Sequence, residues 1–600
     1  MGQEVQLRIQ AREEPVSGLS WPARAKTFTE VLGRRSFEAL VLLAAGWLLL
    51  MPLLTLVLSS LRVGSNLLPF ERAARWGLGN YQELLGGGPA YGRMLGHTLV
   101  YVVGATGVAL LAGGSAAWLV ERSDVPGRRA FYALMVAPLM VPPVVHSISW
   151  ILLFAPGTGL VNVLFRRLGI SGGLLNAFSM PGMVLAQGLG LAPLTFILIS
   201  GALRGLDLRL EEAAWVSGAT VPATLRRVVW PLLRPAIGAA GILSALIALE
   251  SFEIPLLLGA PAGIRVYSST LYFAVHSISA LPEYGKVAAL AVPGLILGFA
   301  ALAGLRRWMG ASERYTTIGG KGFQGGGVQL GPVGQALGLA YLTILAALLA
   351  LGPIVLLGVM SGFPEAFSTG FQRLGRWDPG AWMQVLREET TWRALGNSAL
   401  ASGLGATLAM GLGVVVAWLD VRRGGRVWSG MDYVLLSSVT LPSVVLGLAA
   451  MLLYLWVGHG VYGTVWMLGL VYAARTGIVS RSARAAVMQV SRELEEAAWV
   501  YGASGTAVLR RVLIPVILPG ILGGWLLHFV AHYRESTLAL LLYQPESVVA
   551  GVRIWQLYDA GRMGEASALG LLVVGILLAT VYAAGRWGGS GWTGRARRGR

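Results

Sequence analysis

Cysteine is missing from all 600 residues of the chain. Its absence excludes disulfide-stapled secreted folds, thiolate metal sites and cysteine nucleophiles. Charged residues are also scarce, since they make up 13% of the chain against 55% hydrophobic residues, and the mean hydropathy is +0.66. A soluble globular protein does not have this composition, which indicates an integral membrane protein.

Acidic residues are the rarer of the charged ones, with 29 Asp and Glu against 47 Lys and Arg, and the net charge is +18. In a soluble protein this excess would suggest a nucleic-acid partner. Here the basic residues lie in short gaps between long apolar runs and form no basic stripe with interleaved aromatic residues. We therefore expect the chain to contact a lipid bilayer and no nucleic acid.

Long apolar runs divide the sequence into about twelve candidate membrane spans, each with the roughly 20 residues needed to cross about 30 Å of hydrocarbon. Lipid offers no partner to backbone polar groups and the alternating pattern of a barrel is missing, so each run is predicted to be a helix. The expected fold is therefore all-α and integral to the membrane. The runs begin near Glu38, His97, Ala130, Met183, Val229, Val287, Leu337, Asn397, Tyr433, Thr464, Val512 and Ala566.

The distribution of basic residues predicts how the chain is oriented. When the gaps are assigned alternately to two sides, with the N-terminus inside, 32 of the 47 Lys and Arg lie on the inner side. This bias predicts that both termini are cytoplasmic. The first 35 residues are too long and polar for an ordinary signal peptide and show no A-x-A-like cleavage site, so we expect a retained cytosolic extension.

The chain also contains an internal duplication. Residues 211–237 recur 284 positions later as residues 495–521, with 16 of 27 positions identical. Earlier segments repeat at an offset of 300, so that Pro142 matches Pro442. A shorter outer loop in the second half accounts for the change of offset. Because six spans is an even number, the two halves are predicted to be parallel six-helix repeats.

This duplication predicts five segments along the chain. Two transmembrane domains are joined by a Gly-rich cytoplasmic linker and flanked by an N-terminal cytosolic extension and a basic cytoplasmic tail. In chain order the segments are 1–35 (extension), 36–306 (first domain), 307–335 (linker), 336–586 (second domain) and 587–600 (tail).

The most similar part of the repeat is a cytoplasmic loop and not a span, which suggests a partner in the cytosol. The sequence Glu-Glu-Ala-Ala-Trp-Val predicts a short helix with acidic residues in its first turn, ended by Gly218 in one copy and Gly502 in the other. Such a helix could dock into a cleft of another protein. The alternative is an ordinary amphipathic helix at the membrane surface.

These two loops resemble the EAA signature of the membrane subunits of binding-protein-dependent ABC importers. The signature residues in the two copies are Glu212, Ala213, Ala214, Gly218, Val228 and Pro231, and Glu496, Ala497, Ala498, Gly502, Val512 and Pro515. Trp230 and Ile514 stand where the signature often has Leu. Further stretches resemble the fused two-domain permeases usually assigned to ferric iron, namely 122–128, 250–255, 315–322 and 534–543.

The resemblance implies a type I importer permease fold, also called MetI-like, in a bacterial or archaeal plasma membrane. It implies two ABC ATPase subunits on the cytoplasmic side, one for each loop, and an extracytoplasmic solute-binding protein. No phosphate-binding loop of the form G-x-x-x-x-G-K-[ST] is present, because Tyr315 stands where the first glycine before Gly320-Lys321 would be. ATP and Mg²⁺ are therefore expected on the partner ATPases, with no cofactor and no enzymatic site in this chain.

The substrate is expected to be ferric iron by the same resemblance. Thiamine, phosphonates and polyamines stay open, since similar fused chains are associated with them and a fold does not specify the cargo.

Charged residues beyond the fifth span of each half are candidates for the translocation path. Counting helix rise from Val229 places Glu250 near the outer mouth of its span, with Glu253 one turn further. The second half has Tyr533, Arg534 and Glu535 at the corresponding place. Ionisable residues near a span are costly and often functional. The alternative is that these residues mark the membrane edge or pair with one another.

His528 and His532 have the i, i+4 spacing that could place two imidazoles on one helix face for zinc. The sequence lacks an H-E-x-x-H pattern, and hard ferric iron would prefer the oxygens of Tyr533 or Glu535. We favour a role in helix packing for both histidines.

Two other functional classes were weighed against this interpretation. A secondary transporter of the major facilitator type also has twelve spans in two parallel halves, and 121–129 is similar to its inner-loop signature. The spacing departs by two residues, and that family does not explain the paired loops. A membrane enzyme would need a metal or nucleophile constellation, and none with suitable spacing is visible.

Overall fold

The computed structural model describes residues 28–64, 68–169, 173–276, 282–312, 328–371, 376–458 and 460–592. Most of the predicted N-terminal extension, the middle of the linker with 315–322, and the end of the basic tail lie outside the described residues.

Helices dominate the first half. Two two-residue strands, Arg62–Val63 and Arg75–Trp76, pair antiparallel between the first two spans. The α-helices are Phe28–Ala45, Met51–Ser60, Gly79–Gly86, Pro89–Arg122, Arg128–Val136, Pro143–Phe154, Leu160–Arg167, Met180–Gly205, Arg209–Val216, Val221–Thr224, Trp230–Glu250, Tyr267–Val275 and Tyr284–Ser312.

The second half repeats this order of helices. Its α-helices are Gly331–Ala346, Gly352–Gly362, Gly380–Arg387, Glu389–Arg423, Arg426–Ser437, Ser443–Val457, Val465–Ala473, Gly477–Met488, Arg492–Val500, Gly505–Val508, Ile514–Tyr533, Thr537–Leu542, Ala550–Asp559 and Met563–Trp592. The fold is therefore all-α in two repeats, as the sequence predicted.

The count of twelve continuous spanning helices is not confirmed. Within the described residues, nine helices are long and apolar enough to cross a membrane, and a tenth is obtained if Arg128–Met140 and Pro143–Phe154, bent by 109°, form one span. The spans predicted near Tyr433 and Thr464 consist of shorter helices, broken between Ser437 and Ser443 and between Ala473 and Gly477.

Proline explains the break in the third span of each half. Pro142 and Pro442 both adopt an extended backbone (ψ 141° and 134°) as the residue before a new helix. Proline donates no N–H and restricts the residue before it, so the helix ends there and begins again in another direction.

A second proline effect recurs in the middle of each first span and near the start of each fifth span. A five-residue π-helical turn precedes Pro52, Pro231, Pro353 and Pro515, and each proline lies in the first two positions of the α-helix that follows. The wider turn shifts the hydrogen-bond register where proline removes a donor, so these spans continue through a proline without ending.

The two halves interlock through their first spans. Leu49, Leu53 and Leu56 of the first half share one apolar core with Val444 and Leu448 of the second half's third span. In the same way, Leu356, Leu357 and Met360 of the second half pack in a core with Val145 and Ile148 of the first half. Each third-span break therefore lies at the contact between the halves.

Candidate functional site

The duplicated loop forms a short helix in both halves, as predicted. The first loop helix is Arg209–Val216 and the second loop helix is Arg492–Val500. Alanine and glutamate are good helix formers, and the acidic residues of the first turn interact favourably with the positive end of the helix. Ser491 also caps the second loop helix, because its hydroxyl accepts a hydrogen bond from the Glu493 N–H.

Both loop helices end in the same Schellman motif. In the first, the Gly218 N–H donates to the Trp215 carbonyl and the Ala219 N–H to the Ala214 carbonyl, both at 2.9 Å. The Gly502 and Ala503 N–H groups make the same bonds at 2.9 and 3.0 Å. Gly218 and Gly502 have φ of +84° and +83°, where a side chain is strained. The turn therefore sets the angle between each loop helix and the span that follows it.

A buried ion pair anchors the first loop helix. Arg122 Nε, at the end of the second span, lies 2.9 Å from Glu211 Oε1, and both side chains are at most 5% exposed. Arg122 Nη2 also donates to the carbonyls of Leu203 and Leu206, at 2.6 and 3.1 Å, where the fourth span ends. One guanidinium group thus joins two spans to the loop helix. Burial raises the pKa of Glu211, and the charge of Arg122 opposes that rise.

The second half repeats this arrangement, which we call the clamp. Arg422 Nε lies 2.7 Å from Glu495 Oε1, and Arg422 Nη2 donates to the carbonyls of Val490 and Val487 at 2.8 and 3.4 Å. In addition, the Trp418 indole N–H donates to Glu495 Oε2 at 3.0 Å. Every clamp position is related to its counterpart by the offsets of the sequence repeat.

The sequence reasoning missed the clamp. It selected Glu212 and Glu496 from the signature, whereas the buried carboxylates belong to the preceding residues, Glu211 and Glu495. The available signal was an identical arginine at the end of each second span and an identical glutamate at the start of each loop helix, at the two offsets of the repeat.

The other side of each loop helix is open to solvent. Glu496, Ala497 and Gly502 are exposed, and Glu496 makes a surface ion pair with Arg492 at 3.2 Å. Val216 and Tyr501 are 91% and 92% exposed at the ends of the two helices. Of the first copy's signature residues, Ala213 and Gly218 are exposed, while Glu212, Ala214 and Pro231 are half-buried. Each loop therefore presents apolar and charged residues on a rigid base.

The candidate path residue Glu250 contacts the opposite half. Its Oε2 accepts hydrogen bonds from Ser443 N at 3.0 Å and Ser443 Oγ at 3.1 Å, where the broken third span resumes. Arg475 lies between the two helices of the fourth span, and its Nη2 is 3.1 Å from the same Oε2. Glu250 is the last residue of the fifth-span helix and lies beside helix breaks of the second half.

Arg534 makes the reciprocal contact. It donates from Nη1 to the carbonyl of Val141, 2.9 Å away at the break of the first half's third span. The sequence did not identify a partner of Arg534 in the opposite half. It also did not identify Arg475, because the distribution of basic residues assigned Arg475 to the cytoplasmic side. Glu250 has a basic partner, Arg475, which is not one of the path candidates, so this ion pair is not the predicted pairing of the candidates with one another.

The remaining path candidates lie next to this contact. The buried Glu253 Oε1 accepts hydrogen bonds from the hydroxyls of Ser536 and Thr537 at 2.5 and 2.9 Å, so it reaches across to the second half. Glu535 accepts a hydrogen bond from the Leu538 N–H at 2.9 Å. Tyr533 is 3% exposed and packs in the apolar core that contains Val145 and Ile148 of the first half and Leu356 of the second.

His528 and His532 are buried and stack on one another, with ring centroids 4.1 Å apart. His528 Nε2 lies 3.2 Å from the Tyr472 carbonyl, and His532 Nδ1 lies 2.9 Å from the His528 carbonyl. One nitrogen of each ring is thus occupied by backbone. Among the described residues, no group of three His, Cys, Asp or Glu side chains could hold a metal ion.

Two segments of the chain, 109–314 and 409–587, match the family described as binding-protein-dependent transport system inner membrane component. The chain belongs to this family. It is accordingly a multi-pass permease subunit of an ABC importer, and the family implies ABC transporter partners such as an ATPase and a solute-binding protein.

Several relatives of this permease have names that state a substrate. The ferric transport system permease protein FbpB of Actinobacillus pleuropneumoniae is 23% identical over 487 residues, which cover 78% of this chain and 67% of the relative. The Fe(3+)-transport system permease protein FbpB 2 of Haemophilus influenzae is 23% identical over 508 residues, covering 84% and 91%. The putrescine transport system permease protein PotI of Escherichia coli K12 is 26% identical over 207 residues, covering 33% and 73%.

Proposed function

We propose that this permease carries ferric iron across the plasma membrane, delivered by an extracytoplasmic binding protein and driven by ATP hydrolysis in separate subunits. The supporting observation is that the similarity to the ferric permeases extends over both halves, whereas the similarity to the putrescine permease covers one third of the chain. The putrescine match already covers 73% of that shorter relative, so the support for iron is the similarity to ferric permeases in the two-domain arrangement, since a shared fold alone does not specify the cargo.

The two loops are the proposed docking sites for two ATPase subunits, with Glu212, Ala213, Ala214, Gly218 and Pro231 in the first. Glu496, Ala497, Ala498, Gly502 and Pro515 play the same part in the second. Their exposed surfaces carry apolar and charged side chains, and the clamp fixes them to the ends of two spans. ATP and Mg²⁺ would bind to those partners. Docking of this kind requires both loops, and with them both termini, on the cytoplasmic side.

The contact between the halves is the proposed place of passage. It brings Glu250 and Arg534 from the fifth-span ends to the breaks of the opposite third span. It also brings Glu253 to Ser536 and Thr537 beyond the second half's fifth span. Polar groups are costly to bury unless their hydrogen-bond or ion-pair partners are present. The polar contact between the two halves can therefore separate and be solvated when the halves move. Carboxylate oxygens there suit a hard cation better than the buried histidines do.

The substrate is tested in cells that lack this chain and in the same cells with the chain restored. Uptake of labelled ferric iron at limiting concentration is measured beside putrescine and thiamine tracers. We expect iron uptake alone to be lost and rescued. Loss and rescue of putrescine or thiamine uptake, with iron uptake unchanged, would replace the substrate and leave the permease class intact.

A further inference from the structure

Both copies of the clamp bring the same groups together. Arg422 Nε donates a hydrogen bond to Glu495, whereas Arg122 Nε and Glu211 Oε1 form an ion pair at 2.9 Å without hydrogen-bond geometry. In each half an arginine at the end of the second span reaches a glutamate of the loop helix and two carbonyls at the end of the fourth span. We propose that Arg122 and Arg422 are positioning residues that transmit movement of the loop helices to the second span of each half. The proposal rests on the proposed docking of the ATPases to the loops.

The geometry supports transmission because each guanidinium group holds three elements at once. Its Nε lies against the glutamate and its Nη2 against the carbonyls, so the loop helix cannot shift without moving the span ends or breaking the contacts. The planar fork of arginine allows these simultaneous bonds, whereas a lysine provides a single point charge. Burial makes the arginine more necessary, since a buried glutamate without its ion-pair partner lowers the stability of the fold.

The loop helix has few other rigid attachments. The Schellman turn after Gly218 or Gly502 fixes its far end only through local backbone bonds. Its outer residues, including Val216 and Tyr501, are exposed. The short segments 206–208 and 489–491 already join each loop helix to its fourth span, so the clamp is the connection through which a force applied to the exposed surface reaches the second span.

A nearby ion pair provides a matched control. Arg204 Nη2 lies 2.7 Å from Glu121 Oε1, and this pair joins the same two span ends as the first clamp without contacting the loop helix. Because the Arg204 side chain is 54% exposed and that of Arg122 is buried, the two removals differ in their cost to stability, so the variants are compared at equal amounts of inserted, ATPase-bound transporter. A role in transmission requires the two variants to differ.

The test uses the complete transporter with its ATPase subunits and binding protein in proteoliposomes. Arg122→Gln, Arg422→Gln, Glu211→Gln and Arg204→Gln are compared for ATPase co-purification, basal ATP hydrolysis, hydrolysis stimulated by the binding protein, and iron transported per ATP. We expect the first three variants to keep the ATPase bound and its basal rate, and to lose roughly tenfold in stimulation and in iron per ATP. Arg204→Gln should behave as the wild type.

Conservative variants separate positioning from folding. Arg122→Lys should restore insertion fully and stimulation in part, because lysine reaches the glutamate but not both carbonyls. If Arg122→Gln fails to insert, Glu211→Gln, which keeps the side-chain shape, supplies the measurement. Unchanged stimulation in Glu211→Gln and Arg422→Gln, or an equal loss in Arg204→Gln, would overturn the proposal.

Failure of the clamp proposal and failure of the proposed substrate are distinguishable. A wrong substrate appears as absence of iron transport in the wild-type complex, while stimulation by the binding protein still reports on the clamp variants. If all clamp variants keep the wild-type level of stimulation, the clamp proposal is rejected and the proposed substrate is unaffected.

Discussion

Glu250 and Arg534 occupy equivalent positions, 284 residues apart, and each binds the break in the opposite half's third span. The opposite charges of Glu250 and Arg534 match the backbone groups available at the two breaks, an N–H in one and a carbonyl in the other. The Glu250 carboxylate accepts a hydrogen bond from the Ser443 N–H at the positive end of a helix. Pro143, the counterpart of Ser443 in the first half, has no N–H to donate. Arg534 instead binds the Val141 carbonyl at the end of the preceding turn. The change of charge between the copies therefore follows from the change between serine and proline.

Glu250→Gln is predicted to weaken the contact between the halves, because it leaves the Arg475 guanidinium without its carboxylate. The loss for a largely buried pair is about 3 kcal/mol or more, and we expect a lower thermal midpoint together with reduced transport. The control is Glu83→Gln, which breaks an exposed pair with Lys286 and should cost less than about 1 kcal/mol. If Glu250→Gln and Glu535→Gln both leave transport and stimulated ATP hydrolysis unchanged, the proposed path is wrong.

Glu496→Lys is predicted to disrupt ATPase docking while the chain still inserts in the membrane. The side chain is 49% exposed and its ion pair with Arg492 is a surface pair, so the substitution should cost little stability. Co-purification of the ATPase measures docking. Glu389→Lys makes the same charge change on a side chain that is 83% exposed, at the start of a different helix, and should not affect docking. Normal co-purification and uptake with Glu496→Lys would contradict the assignment.

Gly218→Ala and Gly502→Ala are predicted to distort the turns after the loop helices. Alanine at φ near +84° costs about 1 kcal/mol or more, and the altered exit angle should reduce the stimulation of ATP hydrolysis by the binding protein. Gly201→Ala is the control, since this helical position has open space around it and should tolerate the methyl group. Equal behaviour of the three variants would show that the turns are not required.

Trp418→Phe and Trp118→Phe are predicted to differ although the positions are equivalent in the repeat. The Trp418 indole N–H donates to the buried Glu495, and its loss should cost about 1.5 kcal/mol or more. Trp118 Nε1 is buried with no hydrogen-bond partner among the described residues, so phenylalanine there removes an unsatisfied donor at little cost. Thermal unfolding of the two variants measures the difference. An equal loss in both would mean that the indole bond contributes nothing.

Glu388 is predicted to make the second half's stability sensitive to acid. It lies 2.6 Å from Arg553 Nη2 and 2.8 Å from Arg562 Nη2. Burial acts to raise the pKa of Glu388, but hydrogen bonds and attraction from the two arginines outweigh burial and hold that pKa below its usual range. The stabilisation is therefore present above the unfolded-state pKa and is lost as pH falls through the folded-state pKa. Glu388→Gln should lower the thermal midpoint at pH 7, and the difference from wild type should vanish in acid.

Periodicity and repetition were sufficient to predict the helical membrane fold, the duplication and the loop helices, because those features follow from local sequence. The breaks of the third and fourth spans were not predicted, since hydropathy averages over the prolines and over Arg475. The contacts between the halves, such as Glu253 with Ser536, join residues 283 positions apart, and no local pattern specifies them. The identical Arg122 and Arg422, at equivalent positions of the repeat, are the sequence signal from which the clamp could have been predicted.

The measurement that tests the account most directly is iron accumulation in proteoliposomes containing this permease with its ATPase subunits and binding protein. We predict accumulation that requires ATP and the binding protein and that continues when the proton gradient is collapsed. Accumulation without ATP that disappears with the proton gradient would contradict the account and favour a secondary transporter. Stimulated ATP hydrolysis without iron accumulation would contradict the substrate alone.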